Sequence, residues 1–300
     1  MRFFLVAAIA FGLWLPAALA GWLPYWVEFT SATTPPTPFQ LQRASRQGIE
    51  LQQAWGTRLR GLLMHPAGEG VFPALILLHG CDGIQPFQRQ WGADLVASGY
   101  VVLLVDSYEP RGVRGNCAAW SYKLDVDRQL DARGALIYLR GVPFVDPMRV
   151  GIVGWDVGGR AVLKAMDEKG VQQSFAQPFA VGVAFYPTPL DEDLRAAGPL
   201  LILLGAADTC IPPMAFELSL QGVERSRFPV RLEVVPDAGY HFDDPRYAEP
   251  VHLDEAPVCM VERLSKDMSL AYSPVARVIA AGLVRRFLQE HLPPANLTAR

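Results

Sequence analysis

Six short segments of the chain consist almost wholly of apolar or β-branched residues. They are residues 74–78, 101–105, 150–153, 180–185, 200–204 and 230–235. Strands buried on both faces have this composition, whereas strands with one solvated face alternate apolar and polar positions. The six segments therefore predict a sheet that is covered by helices on both sides.

Stretches with a helical pattern lie between these strands. The predicted helices span residues 88–98, 125–140, 159–169, 213–222 and 273–291. Because strand and helix alternate along the chain, the pattern predicts an α/β fold with a mostly parallel, doubly wound sheet. Two alternating runs, 49–55 and 58–65, are joined by Gly56 and Thr57 and predict an N-terminal antiparallel hairpin at the sheet edge.

The N-terminus has the pattern of an export signal. A cation at position 2 precedes an apolar run that ends on an A-x-A cleavage site at residues 18–20. We therefore predict a signal peptide over residues 1–20 and an exported protein, periplasmic or secreted. The alternative is an uncleaved membrane anchor, because the apolar stretch continues over residues 21–27.

The remaining domain boundaries follow from composition. Residues 21–47 are predicted as an N-terminal extension that includes a Pro/Thr-rich linker at 30–38. Residues 48–292 are predicted as the folded domain and residues 293–300 as a C-terminal tail. Only residues 186–198 separate the fourth predicted strand from the fifth, which leaves no room for a large cap domain at that point.

Composition and charge narrow the classes of function. The 300 residues are 51% hydrophobic and 19% charged, which is typical of a globular chain. The formal net charge is −3 and there is no basic block, so the chain lacks the electropositive surface that nucleic acid requires. It also lacks a C-x-x-C motif or a His/Cys cluster with zinc-ligand spacing. We therefore expect a small-molecule substrate, no nucleic-acid partner, no metal and no cofactor, with membrane contact only if the N-terminal segment is retained.

The chain has four cysteines, Cys81, Cys117, Cys210 and Cys259. An even count in a chain predicted to be exported favours two disulfides, although four cysteines allow three pairings and the sequence alone does not choose. From the predicted placement of their loops, we expect Cys81 to pair with Cys117 and Cys210 to pair with Cys259. Both bonds would then brace the rim of a site above the sheet.

Polar residues directly after three of the strands suggest a catalytic triad. The third predicted strand runs into GWDVGG at residues 154–159, with Asp156 at the centre of the turn. A turn of this kind is the nucleophile elbow of α/β-hydrolases, which projects its central side chain above the sheet. Asp208 follows the fifth predicted strand and His241 follows the sixth. The order nucleophile, acid, base is the chain order of the triad in that fold.

Five motifs together resemble the exported members of the dienelactone hydrolase family of α/β-hydrolases. They are LLHGCDG at 77–83, DSYEPRG at 106–112, GWDVGG at 154–159, LLGAADTCIPP at 203–213 and DAGYHFDDP at 237–245. The resemblance covers residues 49–292 and implies a compact hydrolase without a large cap. It further implies Asp208 as the triad acid, His241 as the base, and the backbone N–H groups of Cys81 and Val157 as an oxyanion hole.

Three residues near these motifs are candidates for binding substrate. Arg111 lies in the loop after the second predicted strand and could hold a substrate carboxylate with its planar, two-pronged guanidinium. The alternative for Arg111 is an ordinary salt bridge. Tyr108 in the same loop and Trp155 in the elbow are the other two candidates.

The chain departs from the family pattern at Asp156, where Cys or Ser is usual. A carboxylate that attacks an ester carbonyl forms a mixed anhydride, which is higher in energy than the ester that serine forms. At a saturated carbon it forms an ordinary alkyl-enzyme ester, which His241 could hydrolyse through an activated water. Haloalkane dehalogenases and epoxide hydrolases look similar at this elbow and use Asp, but they usually carry a cap domain.

Three functions therefore stay open. The first is a dienelactone hydrolase-like hydrolase that acts on a small ester, lactone or related electrophile through Asp156, His241 and Asp208. The second is a catalytically inactive relative that serves as a binding or scaffold protein. The third is an enzyme of the dehalogenase or epoxide hydrolase type with an Asp nucleophile. The presence of both the acid and the base favours a catalytic function.

Overall fold

The structure is a computed structural model that describes most of the predicted domain. The described residues are 23–33, 36, 38–49, 56–113, 115, 127–169, 178–190, 193–220, 223–253 and 268–294. The predicted signal peptide and C-terminal tail lie largely outside these ranges, so both stay predictions. No helix within the described ranges is long and apolar enough to cross a membrane.

The strands form one large and one small sheet. They are β1 (Tyr25–Thr30), β2 (Arg58–Met64), β3 (Phe72–Leu78), β4 (Val101–Asp106), β5 (Val145–Trp155), β6 (Gly182–Phe185), β7 (Leu200–Gly205), β8 (Val230–Val235), β9 (Val251–Leu253) and β10 (Met268–Leu270). The large sheet has the order β1-β2-β4-β3-β5-β6-β7-β8, and β9 pairs with β10. From β4 through β3 to β8 all neighbours are parallel, whereas β2 is antiparallel to both β1 and β4. The predicted mostly parallel sheet is confirmed.

Helices cover both faces of this sheet. They are α1 (Pro38–Gln47), α2 (Pro86–Ala97), α3 (Arg128–Arg140), α4 (Val157–Met166), α5 (Pro213–Ser219) and α6 (Pro274–His291). Helices α3 and α4 pack against each other, and α2 and α6 line a common cleft. Every residue of β3, β4 and β7 is buried, as their apolar sequences predict, and the one charged residue among them is Asp106 at the end of β4.

The partner of β2 differs from the prediction. An antiparallel N-terminal pair is present, and the strand that pairs with β2 in it is Tyr25–Thr30. The strand predicted at 49–55 lies outside the described residues except for its first position. In this register Tyr25 lies opposite Leu63 and Thr30 lies opposite Arg58. Because β4 occupies the other edge of β2, no edge remains for a second hairpin partner. Both β1 and α1 therefore come from the segment that composition alone assigned to an extension and linker.

Candidate active site

Asp156 sits in a strained turn between β5 and α4. Its backbone has φ 55° and ψ −118°, a conformation that L-residues rarely adopt outside functional turns. Two of the three glycines in the GWDVGG turn are required by close contacts between backbones. A Cβ atom on Gly158 would lie 2.4 Å from the carbonyl oxygen of Leu78, and one on Gly154 would lie 2.3 Å from the carbonyl oxygen of Gly158. The turn therefore has the geometry of a nucleophile elbow and aims Asp156 over the carboxyl end of the sheet.

The Asp156 carboxylate occupies the position where an oxyanion would be bound. Its Oδ2 accepts a hydrogen bond of 3.0 Å from the backbone N–H of Cys81, and its Oδ1 accepts one of 2.6 Å from the Tyr240 hydroxyl. The side chain is completely buried. Burial raises the pKa of Asp156, and the hydrogen bonds from Tyr240 and from the backbone N–H groups of Cys81 and Val157 oppose that rise. Both predicted oxyanion donors thus point at the carboxylate of Asp156 itself.

A buried arginine holds the loop that carries the Cys81 donor. Arg128 donates from Nη1 to the carbonyl oxygen of His79 at 2.5 Å and from Nη2 to that of Gly80 at 3.1 Å. Its guanidinium lies 4.5 Å from the centre of the Tyr108 ring. Because both carbonyls precede Cys81 directly, these bonds orient the N–H that reaches Asp156. Arg128 therefore positions the Cys81 N–H that contacts Asp156.

The neutral imidazole of His79 supports the same loop. Its Nδ1 lies 2.7 Å from the carbonyl oxygen of Gly80, and the backbone N–H of Ser107 points at its Nε2 at 3.2 Å. These contacts assign the proton to Nδ1, which donates, and leave Nε2 as the acceptor. Burial and the adjacent Arg128 hold the pKa of His79 well below its ordinary value. His79 therefore links the loop after β3 to the loop after β4 and stays uncharged.

Asp208 and His241 lie after β7 and β8 but are not hydrogen-bonded to each other. Asp208 Oδ1 accepts bonds of 2.8 Å from the backbone N–H groups of both Cys210 and Ile211. Among the described residues, Asp208 Oδ2 and His241 Nδ1 have no hydrogen-bond partner although both atoms are buried. Burial raises the pKa of Asp208 to about 7 and, with the nearby Arg246, lowers the pKa of His241 to about 3. The imidazole is therefore neutral, and the carboxyl group titrates near neutral pH.

Aromatic rings surround His241. The ring centroids of Tyr240, Tyr186 and Tyr247 lie 4.6, 4.9 and 5.5 Å from that of the imidazole. His241 also has a positive φ of 59°. Its orientation thus depends on this packing and on the backbone of its turn, since the described residues provide no side-chain hydrogen bond to the imidazole.

Asp243 anchors the rings next to His241. Its Oδ2 accepts hydrogen bonds from the indole N–H groups of Trp91 at 2.7 Å and Trp155 at 2.9 Å, and its Oδ1 accepts one of 2.7 Å from the Tyr186 hydroxyl. The carboxylate is completely buried, and burial raises its pKa while the three donors lower it. Since Tyr186 packs on His241, this network holds one wall of the site.

Two of the three predicted substrate contacts have other roles. Arg111 forms two hydrogen bonds to the Asp131 carboxylate, at 2.9 and 2.7 Å, and a third to the carbonyl oxygen of Ser107 at 2.7 Å. Arg111 therefore forms an ordinary salt bridge with Asp131, and we do not propose that it binds a substrate carboxylate. Trp155 is 0% exposed and its indole N–H donates to Asp243, so it supports the wall of the site, and a contact of Trp155 with substrate stays a prediction. Tyr108 is half-buried and packs on both Arg128 and His79.

Two of the four cysteines, Cys81 and Cys210, lie among the described residues. Neither Cys81 nor Cys210 is a free thiol. Cys117 and Cys259 lie outside the described residues, so the pairing stays a prediction. Within the part of the chain that the structure describes, no three His, Cys, Asp or Glu side chains are grouped so that they could hold a metal ion.

Sequence reasoning did not identify Arg128, Tyr240 or Asp243. Tyr240 and Asp243 flank His241 within the DAGYHFDDP motif, so their proximity to the base was a signal that could have been used. Arg128 gave no such signal, because the carbonyls that it binds are 48 and 49 residues away in the chain.

The fold and the elbow define an α/β-hydrolase, and comparison with known proteins identifies the family. A sequence profile of the dienelactone hydrolase family matches residues 59–263, and the chain belongs to this family. Family membership places the chain among hydrolases.

Individual relatives are distant. The chain is 26% identical over 232 residues to an uncharacterized protein of Mycobacterium tuberculosis (strain CDC 1551 / Oshkosh), which covers 72% of this chain and 79% of the relative. A dienelactone hydrolase-like promiscuous phosphotriesterase from metagenomic libraries matches the structure with a TM-score of 0.62 and 16% identity, covering 89% of this chain and 98% of that one. A thermophilic esterase of Thermogutta terrifontis matches with a TM-score of 0.55 and 16% identity, covering 80% and 90% of the two chains. At these identities the two structures support the fold alone.

Proposed function

We propose that this chain hydrolyses a small electrophile at a saturated carbon, with Asp156 as the nucleophile, His241 as the base and Asp208 as the acid of the triad. The observation that carries the proposal is the hydrogen bond from the Cys81 N–H to Asp156 Oδ2, 3.0 Å long. An alkyl halide or an epoxide is the class of substrate that fits this arrangement.

The position of Oδ2 disfavours acyl transfer by the native chain. An ester substrate would need its own carbonyl oxygen on the Cys81 and Val157 donors as negative charge develops there. Asp156 already occupies those donors, and its attack on an ester would also produce a mixed anhydride. The arrangement is therefore better suited to attack by Oδ1 at an alkyl carbon, with Oδ2 kept in the oxyanion hole.

In the second half of the reaction, hydrolysis of the alkyl-enzyme, the oxyanion hole stabilises developing negative charge. A water that attacks Cγ of the alkyl-enzyme ester places negative charge on Oδ2, which the Cys81 N–H stabilises. His241 is neutral at ordinary pH because its pKa is lowered to about 3, so it can accept the proton of that water. Ionised Asp208 would then stabilise the imidazolium that forms, as the triad acid does in other hydrolases. The hydrogen bond between Asp208 and His241, which is absent without substrate, can form in the complex with substrate.

One observation favours a second candidate, a non-catalytic binding protein. The unpartnered Asp208 Oδ2 and His241 Nδ1 are the two atoms that a working triad would join. In a family member that only binds its ligand, selection for that hydrogen bond would be absent.

A single-turnover reaction in heavy-oxygen water separates the two candidates. The enzyme, in excess over substrate, is incubated with haloalkanes, haloacids, epoxides, lactones and aryl esters, and the peptide that contains Asp156 is analysed by mass spectrometry. We expect one heavy oxygen in the Asp156 carboxylate with at least one halide or epoxide, because water attacks Cγ. The Asp156→Asn variant is the control and should take up no label. Binding without label for every substrate would overturn the proposal in favour of the binding protein.

The pKa of Asp208 leads to a prediction for activity and stability. Because the carboxyl group must ionise to support the imidazolium that forms during hydrolysis of the alkyl-enzyme, we expect kcat to rise with pH through about 7. Asp208→Asn should lower kcat by about 10²- to 10⁴-fold and shift this rise in kcat to lower pH.

The free energy of unfolding depends on the ionisation of Asp208 in the opposite direction to activity. A folded-state pKa of about 7 lies above the unfolded value, so the folded state binds the proton more tightly, and stability falls as pH rises from about 4 through about 7. The melting temperature of the native protein should fall more between pH 5 and pH 8 than that of Asp208→Asn. Equal falls in the two proteins, or a flat activity profile through pH 7, would contradict the assignment.

A further inference from the structure

We infer that Tyr240 is a catalytic acid, which protonates Asp156 Oδ1 when the product alcohol leaves the alkyl-enzyme. This inference rests on the proposed function and adds a residue to its second half. It starts from the shortest polar contact of Asp156, the hydrogen bond of 2.6 Å from the Tyr240 hydroxyl to Oδ1.

The two oxygens of Asp156 have different donors, and this difference assigns their roles. Oδ2 is held by the Cys81 N–H, a fixed backbone donor that can stabilise charge but cannot give up its proton. Oδ1 is held by a phenol, which can transfer its proton. In the alkyl-enzyme, Oδ1 is the oxygen that carries the alkyl group, and it becomes the oxygen of the product alcohol.

Departure of that alcohol requires a proton at Oδ1. Water attacks Cγ, one water proton passes to His241, and the negative charge of the tetrahedral intermediate rests on Oδ2. When the C=Oδ2 bond reforms, the Cγ–Oδ1 bond breaks and its electron pair goes to Oδ1. Oδ1 takes the Tyr240 proton and leaves as the alcohol. The new carboxylic acid of Asp156, which contains the water oxygen, returns a proton to the Tyr240 phenolate, and His241 releases its proton to solvent.

The surroundings of Tyr240 make it a stronger acid at this step than in the resting protein. In the resting protein, burial, the charge of Asp156 and the hydrogen bond to Asp156 raise the pKa of Tyr240 well above its ordinary value. Alkylation neutralises Asp156 and so removes the second and third of these causes. Attack by water then creates an imidazolium at His241, whose ring centroid lies 4.6 Å from that of Tyr240. A cation at that distance favours the phenolate.

No competing acid contacts Oδ1 among the described residues. The Tyr186 hydroxyl donates to Asp243, and Tyr247 contacts the ring of His241. The Tyr240 side chain is almost fully buried, at 4% exposure, and its hydroxyl is already in place on Oδ1 as the donor. The geometry therefore assigns the proton to Tyr240.

The test follows both half-reactions of Tyr240→Phe by rapid quench and intact-protein mass spectrometry. The substrate is a halide or epoxide on which the native protein forms a labelled alkyl-enzyme. We expect alkylation at a native or slightly higher rate, because Oδ1 loses a hydrogen bond and becomes more nucleophilic. Dealkylation should slow by about 10²- to 10⁴-fold, so the alkyl-enzyme accumulates. Tyr100→Phe is the matched control, because it removes a buried phenol whose hydroxyl donates to the carbonyl oxygen of Leu292.

A series of substrates separates acid catalysis from a merely structural role. Fluorine substituents make the product alcohol more acidic and reduce its need for a proton. The dealkylation defect of Tyr240→Phe should therefore shrink along this series, whereas a misplaced Asp156 would give the same defect for every alcohol. A constant defect, or dealkylation at the native rate, would overturn the role of Tyr240 alone. Failure of the native protein to form an alkyl-enzyme would overturn the proposed function, and the role of Tyr240 with it.

Discussion

His241→Ala is expected to stop the reaction at the alkyl-enzyme, with steady-state turnover reduced by about 10³-fold or more. Asp156 does not need the imidazole to attack a saturated carbon, because its carboxylate is already the nucleophile. Hydrolysis of the ester does need a base, and among the described residues His241 is the neutral imidazole that lies beside Tyr240 at the elbow. The first half of the reaction therefore continues while the second stops.

The measurement is the mass of the intact protein after incubation with substrate. His241→Ala should gain the mass of one alkyl group, and the double variant with Asp156→Asn should gain none. His252→Ala provides a matched control, since His252 is an exposed histidine on β9. Sustained turnover by His241→Ala would remove His241 from the mechanism and leave the base unassigned.

Asp156→Ser is expected to create hydrolysis of activated aryl esters, raising it by about 10²- to 10³-fold over the native protein. The substitution removes Oδ2 from the Cys81 N–H and so frees the oxyanion hole for a substrate carbonyl. It also supplies a hydroxyl that forms an ordinary acyl ester in place of a mixed anhydride. The base His241 and the acid Asp208 are unchanged by the substitution.

Asp156→Ala is the matched control for this gain of activity. It frees the same donors but provides no nucleophile, so it should stay inactive toward the aryl ester. Burst kinetics with the serine variant should reveal an acyl-enzyme. A folded serine variant that is no more active than Asp156→Ala would show that the hole, as arranged by Arg128, does not bind an ester oxyanion.

The central sheet was predictable because its strands are buried on both faces. β3 and β7 have no polar side chain and β4 has one only at its last position, Asp106, so the burial of these strands follows from local composition. The predicted strand at 230–235 coincides with β8. The predicted helix at 159–169 begins two residues earlier, at Val157, because the elbow passes directly into α4. A boundary of this kind depends on the backbone of the turn and not on side-chain periodicity.

The N-terminal strand was not predictable in the same way. Tyr25–Thr30 adjoins an apolar stretch and a Pro/Thr-rich linker, and in composition it resembles both. It is a strand because it pairs along one edge of β2, whose other edge is taken by β4. Pairing between segments that are distant in sequence, and not local propensity, decided this element.

The sequence by itself determined which residues of the site lie above the sheet. Asp156, Asp208 and His241 each follow a segment whose composition predicts a strand, and the carboxyl ends of parallel strands meet at one edge. Only the tertiary structure decided what these residues contact. The bonds from Cys81 and Tyr240 to Asp156 span 75 and 84 residues, and the ion pair of Arg111 with Asp131 connects a loop to a helix. A hydrogen bond depends on distances of a few tenths of an ångström between segments that only the folded core brings together, so no local pattern encodes it.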